Sequence, residues 1–501
     1  MPPRQSSRLA KAAVAVQTSS TEVAVKQTKT NGAAVAARNR RVTTKREVVE
    51  SIPEPEPESE EEVTKPPATS RKRKAAVTVT AVKTEAKVED EDVVAATEDE
   101  PKAAPKKRRT AKTKTEDLAP LAERTAIESL KKAMYIGAHV SSAGGVHNSI
   151  TNTVHIGANA FALFLKSQRK WANPPMAPEA RDGFRALSET HKFEVHKHCL
   201  PHGSYLVNLA QAEAEKAEQA YAAFVDDLER CEALGIRLYN FHPGNTNGDD
   251  RSAAIARIAA QLNRAHAATH SVVTVLENMA GQGNVIGCSF EDLRDIIRLV
   301  DDKARVGVCI DTCHAFAAGY DLRSPETFAS TMARFDAVVG IKPYLKALHI
   351  NDSKAPFNSH RDLHANIGTG FLGLRAFHNV MNCDDLVGLP MVLETPIERP
   401  SPDGKGGTVE DKQVWADEIK LLESLIGMDV ESDVFKALEE RLQKQGEAER
   451  AKIQDQVDRK SEKDAKKAAT AASKAAKGKA KGKGKKKKKA ESDEEEEEES
   501  E

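Results

Sequence analysis

Disulfide frameworks are what this sequence most plainly lacks. Its six cysteines, Cys199, Cys231, Cys288, Cys309, Cys313 and Cys383, form no CxxC pair and no regular spacing, which excludes a disulfide-stapled domain and suits a reduced, intracellular protein. Aromatic residues are scarce at 4%, while 30% of the chain is charged, so one packed core cannot run through all 501 residues. No apolar run approaches the roughly 20 residues needed to cross a bilayer, and no membrane partner is expected. The opening MPPRQSSRLAKAAV lacks a secretory apolar core. It does carry Arg4, Ser6, Ser7, Arg8 and Lys11 with no acidic residue before Glu22, a composition compatible with an organelle transit peptide. Net charge is also lacking, at a formal -1, but this is an average over strongly basic and strongly acidic blocks far apart in the chain.

Those blocks divide the sequence. Residues 1–130 show no sustained helical or strand period and include the proline-interrupted acidic stretch SIPEPEPESEEE, so a disordered arm is expected. It holds two basic clusters, Arg71-Lys72-Arg73-Lys74 and Lys106-Lys107-Arg108-Arg109, of the kind used for nuclear import or phosphate contact, although either alone could be a solvated charge run. Residues 429–501 begin as a charged helix, VFKALEERLQKQGEAERAKIQDQVDRK, and end in the low-complexity KGKAKGKGKKKKK and DEEEEEE. Neither end block can build a core. The lysines could hold nucleic acid, and the acidic end could fold back on them or bind basic partners.

Between the tails, residues 131–428 alternate short apolar runs with longer amphipathic segments, the pattern of βα units. Eight candidate strands can be counted: MYIGAHV, AFALFLK, FEVHKHCLPHG, IRLYNFHPG, VVTVLENMAGQG, VGVCIDTCHA, LKALHINDS and MVLETP. Eight units in this length make an α/β protein with a (β/α)8 TIM-barrel core, with an open doubly wound sheet as the alternative on pattern alone. Ser289 with Asp292 three residues on predicts a capped helix start.

At the ends of six strands stand His202, His242, Glu277, Asp311, His349 and Glu394, and just beyond strand ends lie His314, Asp362 and His364. Any one of these could simply hydrogen-bond a loop. In a barrel, however, the C-terminal strand ends converge on one mouth, so donors about one βα unit apart in sequence become neighbours in space. Five imidazoles and four carboxylates suit zinc, with manganese or iron as alternatives at part of the set. Nine donors are too many for one ion. With one bridging carboxylate they would serve three, and such a cluster suits a phosphodiester. His198 has the same strand parity as His202 but is expected roughly 13 Å deeper, so it is left as a core or hydrogen-bonding residue with His139, His147, His155, His196 and His360.

The motifs GAHVSSAGG, FALFLKSQRKW, LPHGSYLVNL, NFHPG, LENMAGQG, GVCIDTCHAFAAGYDLR, LHINDSK and VLET resemble, in order and across the whole predicted barrel, the endonuclease IV family of apurinic/apyrimidinic endonucleases. The resemblance implies three Zn2+ ions per chain and cleavage of DNA on the 5′ side of an abasic site, leaving a 3′-hydroxyl and a 5′-deoxyribose phosphate, as well as removal of blocked 3′ ends. It implies that His202, His242 and Glu277 hold one zinc, that Glu277 bridges to a second held by Asp311, His349 and Glu394, and that His314, Asp362 and His364 hold the third. Glu277 would orient the attacking hydroxide. By the same resemblance Gln168 and Arg169, in SQRKW, and Tyr205 and Leu206, in HGSYL, enter the DNA minor groove, unless Tyr205 and Leu206 merely pack at a helix start. The sequence departs from the family at Leu363, where Arg is common, and at Ser167, where Asn is frequent.

The expectation is therefore a monomeric, zinc-dependent repair nuclease acting on double-stranded DNA with abasic sites or blocked 3′ ends, in the nucleus and with the mitochondrion as a second address. Two other readings stand beside it. A sugar isomerase or epimerase would need fewer metals, and a non-catalytic DNA tether would depend on the tails.

Overall fold

Seven strands pair in parallel around a curled sheet in the computed structural model, which describes residues 119–402 and 406–495. They are β1 (Tyr135–His139), β2 (Ala160–Ala162), β3 (Leu238–Phe241), β4 (Val273–Glu277), β5 (Val306–Asp311), β6 (Leu345–His349) and β7 (Pro390–Leu393). Their order is β2-β1-β7-β6-β5-β4-β3. The gap between β2 and β3 is closed by residues 199–202, through parallel bridges Phe161↔Cys199 and His202↔Asn240. Leu200 N–H donates to Phe161 O at 2.9 Å, and Asn240 N–H donates to Pro201 O at 2.9 Å. Eight parallel segments thus form a TIM barrel. The doubly wound alternative is excluded by this closure, since an open sheet would leave β2 and β3 unpaired on opposite edges. The readings on the N-terminal arm, including both basic clusters and the transit-like start, lie outside the described residues.

The third predicted strand is shorter than expected. Val195–His198 is a helical turn, and Pro201, with no N–H to give, reduces the following segment to bridges. His198 is therefore not four strand residues below His202. Its ring instead stacks on Tyr135 at a centroid distance of 3.5 Å.

The strand period of two then builds the interior. One apolar layer fills the lumen: Ala162, Leu200, Leu238, Val275, Cys309, Ala347 and Val392, one from each segment except β1, where Gly137 lies opposite Val392. Gly137 is required there, because a Cβ would sit 1.6 Å from Ala160 O. Two residues further along each strand, about 6.6 Å nearer the mouth, the side chains point into the same lumen. Those residues are His139, Phe164, His202, Asn240, Glu277, Asp311, His349 and Glu394. Five of the nine donors, His202, Glu277, Asp311, His349 and Glu394, stand in this next storey of the barrel.

Helices wrap the outside: α1 (Asn148–His155), α2 (Pro178–Thr190), α3 (Ala214–Leu234), α4 (Arg251–Ala268), α5 (Phe290–Leu299), α6 (Pro325–Val338), α7 (Gly373–Asn382) and α8 (Gln413–Ser424). Their apolar faces and the outward strand residues make the second, larger core. The α5 start is as predicted, with Ser289 Oγ accepting the Asp292 N–H at 3.2 Å. Packing begins before residue 131, since Leu121 N–H reaches His155 O at 2.7 Å and Arg124 Nε reaches Asn159 Oδ1 at 2.6 Å. After the barrel comes α9 (Asp433–Glu495). The charged helix was expected to stop near Lys460, but it continues through the run of Ala and Lys, both strong helix formers. No helix among the described residues is long and apolar enough to cross a membrane.

Candidate metal centre

All nine predicted donors meet at the barrel mouth. Glu277, fully buried, is the hub. Its Oε2 lies 3.3 Å from His202 Nε2 and 3.6 Å from His242 Nε2, and its Oε1 lies 3.2 Å from His349 Nδ1 and 3.2 Å from His314 Nδ1. Glu394 Oε2 is 3.4 Å and Asp311 Oδ2 is 3.9 Å from His349 Nδ1. Asp362 sits between His314 Nε2 at 3.1 Å and His364 Nε2 at 3.2 Å. Donor atoms within 4.8 Å of one another include the sets His202–His242–Glu277 and Glu277–Asp311–His349–Glu394, as well as Asp311–His314–His364. Asp362 and His364 gather additionally with Cys313, which the sequence reading did not place.

The imidazoles are oriented as metal-binding histidines are. Nδ1 of His202 lies 2.8 Å from Gly203 O, that of His314 lies 2.9 Å from Asn278 O, and that of His364 lies 3.2 Å from Glu394 O. Donating to these carbonyls assigns the proton to Nδ1 and leaves Nε2 as the free lone pair facing the cluster. Nε2 of His202, His314 and His364 is buried and, although each lies within 3.3 Å of a carboxylate oxygen, none makes a well-directed hydrogen bond. A buried polar atom without a directed hydrogen bond is costly, so these three imidazole nitrogens facing carboxylates fit cations that take their lone pairs.

Electrostatics agree. Burial disfavours an imidazolium, yet the surrounding carboxylates, Glu277 foremost, raise His349 to about 10, and Asp311 and Asp362 raise His364 to about 9. His314 and His202 are raised as well against the same burial penalty. Burial likewise penalises the Glu277, Glu394 and Asp362 anions, but the facing histidines hold all three well below the usual carboxylate range. The pocket strongly favours positive charge among fixed anions, which protons or metal ions can supply.

Four positioning residues were missed from sequence. Asn240 Nδ2 donates to Glu277 Oε2 at 2.5 Å, and Asn351 Nδ2 donates to Asp311 Oδ2 at 2.7 Å while its Oδ1 accepts the Glu394 N–H at 2.8 Å. Asn278 Oδ1 accepts the Asp311 N–H at 2.7 Å. His139, set aside at first, faces Glu394 Oε1 with Nδ1 at 3.0 Å. A signal for three of them was present: an Asn stands within two residues of His242, Glu277 and His349 in NFH, EN and HIN. Replacing Asn351 with Ala is expected to lower metal affinity or activity about 10- to 100-fold, because two carboxylate-bearing strands lose their shared tie. Metal titration of the variant measures it.

The four predicted DNA-contacting residues share one rim. Tyr205 is 61% exposed, its ring 5.3 Å from that of His202, and Leu206 is 38% exposed, so neither packs away at a helix start. Arg169 is exposed and Gln168 half-buried, and the two loops are joined where Ser204 Oγ donates to Gln168 O at 2.8 Å. Ser167 N–H bonds Asn173 Oδ1 at 3.1 Å, closing the SQRKW loop on itself. Leu363 contributes its carbonyl, which accepts Lys354 N–H at 2.8 Å. Beside the donors opens a cleft of about 1090 Å³, reached by His139, Gln168, Tyr205, Glu394 and Lys412.

The SQRKW loop is clamped at both ends. Lys166 Nζ, at its start, meets Asp226 Oδ2 at 2.6 Å and Asp227 Oδ1 at 3.4 Å, while Arg230 joins Asp226 at 3.0 Å to Pro174 O at 2.7 Å. Lys166→Met should destabilise the fold by about 3 kcal/mol, since buried Asp227 would lose its only cation and keep just the Tyr239 hydroxyl, which donates to Oδ2 at 2.8 Å. The shift of a urea unfolding midpoint tests this.

A parallel barrel with clustered donors at its mouth defines a metal-site TIM barrel, and comparison with known proteins is consistent with that class. A family model described as a xylose isomerase-like TIM barrel matches residues 150–425. Apurinic-apyrimidinic endonuclease 1 of Saccharomyces cerevisiae is 47% identical over 289 residues, covering 58% of this chain and 75% of that protein. The probable endonuclease 4 of Campylobacter curvus is 47% identical over 292 residues, covering 58% of this chain and 98% of its own. The crystal structure of endonuclease IV from Thermus thermophilus aligns over 58% of this chain and 99% of its own, with 30% identity and a TM-score of 0.49. The chain belongs to the endonuclease IV family of apurinic/apyrimidinic endonucleases.

Proposed function

We propose that this protein is a zinc-dependent repair endonuclease of base excision repair that hydrolyses the phosphodiester 5′ to an abasic site in duplex DNA and clears blocked 3′ ends. The observation that carries the reading is the convergence of nine donors, three of them with a buried imidazole Nε2 that faces a carboxylate without a well-directed hydrogen bond, beneath a rim of exposed Arg169, Tyr205 and Leu206. His202, His242 and Glu277 would hold one cation, Glu277, Asp311, His349 and Glu394 a second, and His314, Asp362 and His364 a third. Bound there, zinc supplies a nucleophile at neutral pH and neutralises charge on the phosphate. Glu277 takes the central role, since one of its oxygens faces His202 and His242 and the other faces His314 and His349, and Asn240 donates to its Oε2. Tyr205 and Leu206 present apolar surface able to wedge between unstacked base pairs, and Arg169 suits a narrow minor groove. Action in the nucleus fits the basic clusters of the sequence, and a monomer is part of the same proposal. The domain limits 131–428 are part of the same proposal, with packed residues extending back to Leu121.

The experiment is a nicking assay on a single abasic duplex together with metal counting on the purified chain. Three ions per chain and a 3′-hydroxyl product support the reading. Turnover of a free sugar with a single ion, or DNA binding without cleavage, would replace it by the isomerase or the tether.

A further inference from the structure

The family model ends at residue 425, before α9. That helix nevertheless packs against the loop that carries two of the proposed ligands. Its first turns lie at the foot of the barrel, where Phe435 meets the His378 ring at 5.6 Å near the far end of α7. Gln443 Nε2 then donates to Gly368 O at 2.8 Å and Gly370 O at 3.0 Å, and Arg450 Nη1 donates to Thr369 O at 2.5 Å. At Gly446 the two backbones touch, for a Cβ would lie 1.9 Å from Thr369 O. Higher still, Glu449 pairs with Lys354 at 3.2 Å, and Gln456 accepts from Arg361, the residue before Asp362, at 3.4 Å. The helix therefore climbs the barrel wall and leaves it on the mouth face.

Past Gln456 it continues to Glu495, roughly 60 Å beyond the rim at 1.5 Å per residue. From Arg459 to Lys489 the sequence has fifteen basic residues and only Glu462 and Asp464 against them. The densest run, Lys485–Lys489, lies roughly 45 Å out, the length of about a dozen base pairs.

We propose that α9 is a docked arm: its lower half braces the Asp362–His364 loop, and its basic half lies along the phosphates of the duplex on one side of the lesion. The inference rests on the endonuclease reading for the placement of DNA at the mouth. Docking matters because a helix fixed at five points carries its basic half away from the barrel along one line, whereas a loose tail would range around the whole molecule. The acidic residues after Ala490 end the basic stretch and limit how far the arm can grip.

The test uses the full chain, with kcat, KM and Kd by fluorescence anisotropy on 12- and 40-base-pair abasic duplexes over a range of salt. Replacing Lys485–Lys489 with Gln should raise KM and Kd about tenfold on the long duplex, leave the short one unchanged, and flatten the log Kd against log salt slope by about 2 to 3. Ala465→Pro, beyond the last docking contact and with all charges kept, should produce the same loss on the long duplex, because it breaks the helix that aims the lysines. Equal losses on both lengths, or none, would overturn the proposal. So would an Ala465→Pro protein that binds like wild type while the Gln variant is weakened, since that is a flexible tether. If the wild type binds but does not cut, the endonuclease reading fails while the Kd comparison still decides the arm.

Discussion

Glu277→Gln is expected to lower kcat for abasic-site nicking by about 10³-fold and to reduce the number of bound ions. The side chain has no solvent to fall back on, being fully buried, and four imidazole nitrogens lie within 3.6 Å of its two oxygens. An amide keeps the shape but turns one end into a donor that faces other donors, and it removes the charge that two cations would share. Asn240, whose Nδ2 is placed to donate to Oε2, would meet an NH2 group in one rotamer. Rate and metal content measured on the same preparation give the answer. A Gln variant with full rate and full metal content would remove Glu277 from the proposed mechanism.

Chelation is expected to abolish cleavage, with zinc restoring it, and the stripped protein should show a characteristic pH dependence. His349 and His364 are held at about 10 and about 9, above the ordinary histidine value, by the carboxylates around them despite burial. Groups raised in this way bind protons more tightly when folded. Their stabilising contribution is complete below about pH 6.5 and is lost as pH climbs through 9 to 10. Glu277, Glu394 and Asp362 are depressed, so their contribution is present above about pH 4.5 and fades in acid. The Tm of the metal-free protein should thus begin to fall above about pH 6.5, below the range in which cysteine, tyrosine and lysine titrate. Metal must displace the same protons, so zinc affinity should rise with pH and calorimetry in buffers of different ionisation enthalpy should record proton release. A flat affinity between pH 6 and 9 with no proton release would contradict the proposed ligand set.

Much of the barrel was legible because two periods were. Runs of apolar residues marked the strands, and a donor at six of the eight strand ends marked the mouth, so Glu277, Asp311, His349 and Glu394 could be assembled from sequence. What sequence hid was set by contacts between units. The helical turn Val195–His198 reads as strand because Val and His carry no helix signal, and only Pro201 hints at the broken pairing. Asn240, Asn278 and Asn351 bond across neighbouring strands, over separations that no local pattern records. Arg124 was assigned to a disordered arm because its partners, Asn159 and the His191 carbonyl, lie far along the chain. Cys313 passed as an unremarkable thiol until the fold set it beside Asp362 and His364.

The donors of the central cluster stand directly on a floor of small, tightly fitted side chains, with Val275 beneath Glu277, Cys309 beneath Asp311, Ala347 beneath His349 and Val392 beneath Glu394. Their separations are inherited from interstrand spacing, which cannot relax to suit a cation of another radius. Selectivity among metals would then be written into the hydrocarbon layer below, and trimming Val392 to Ala would be felt first as a change in which ion the mouth prefers.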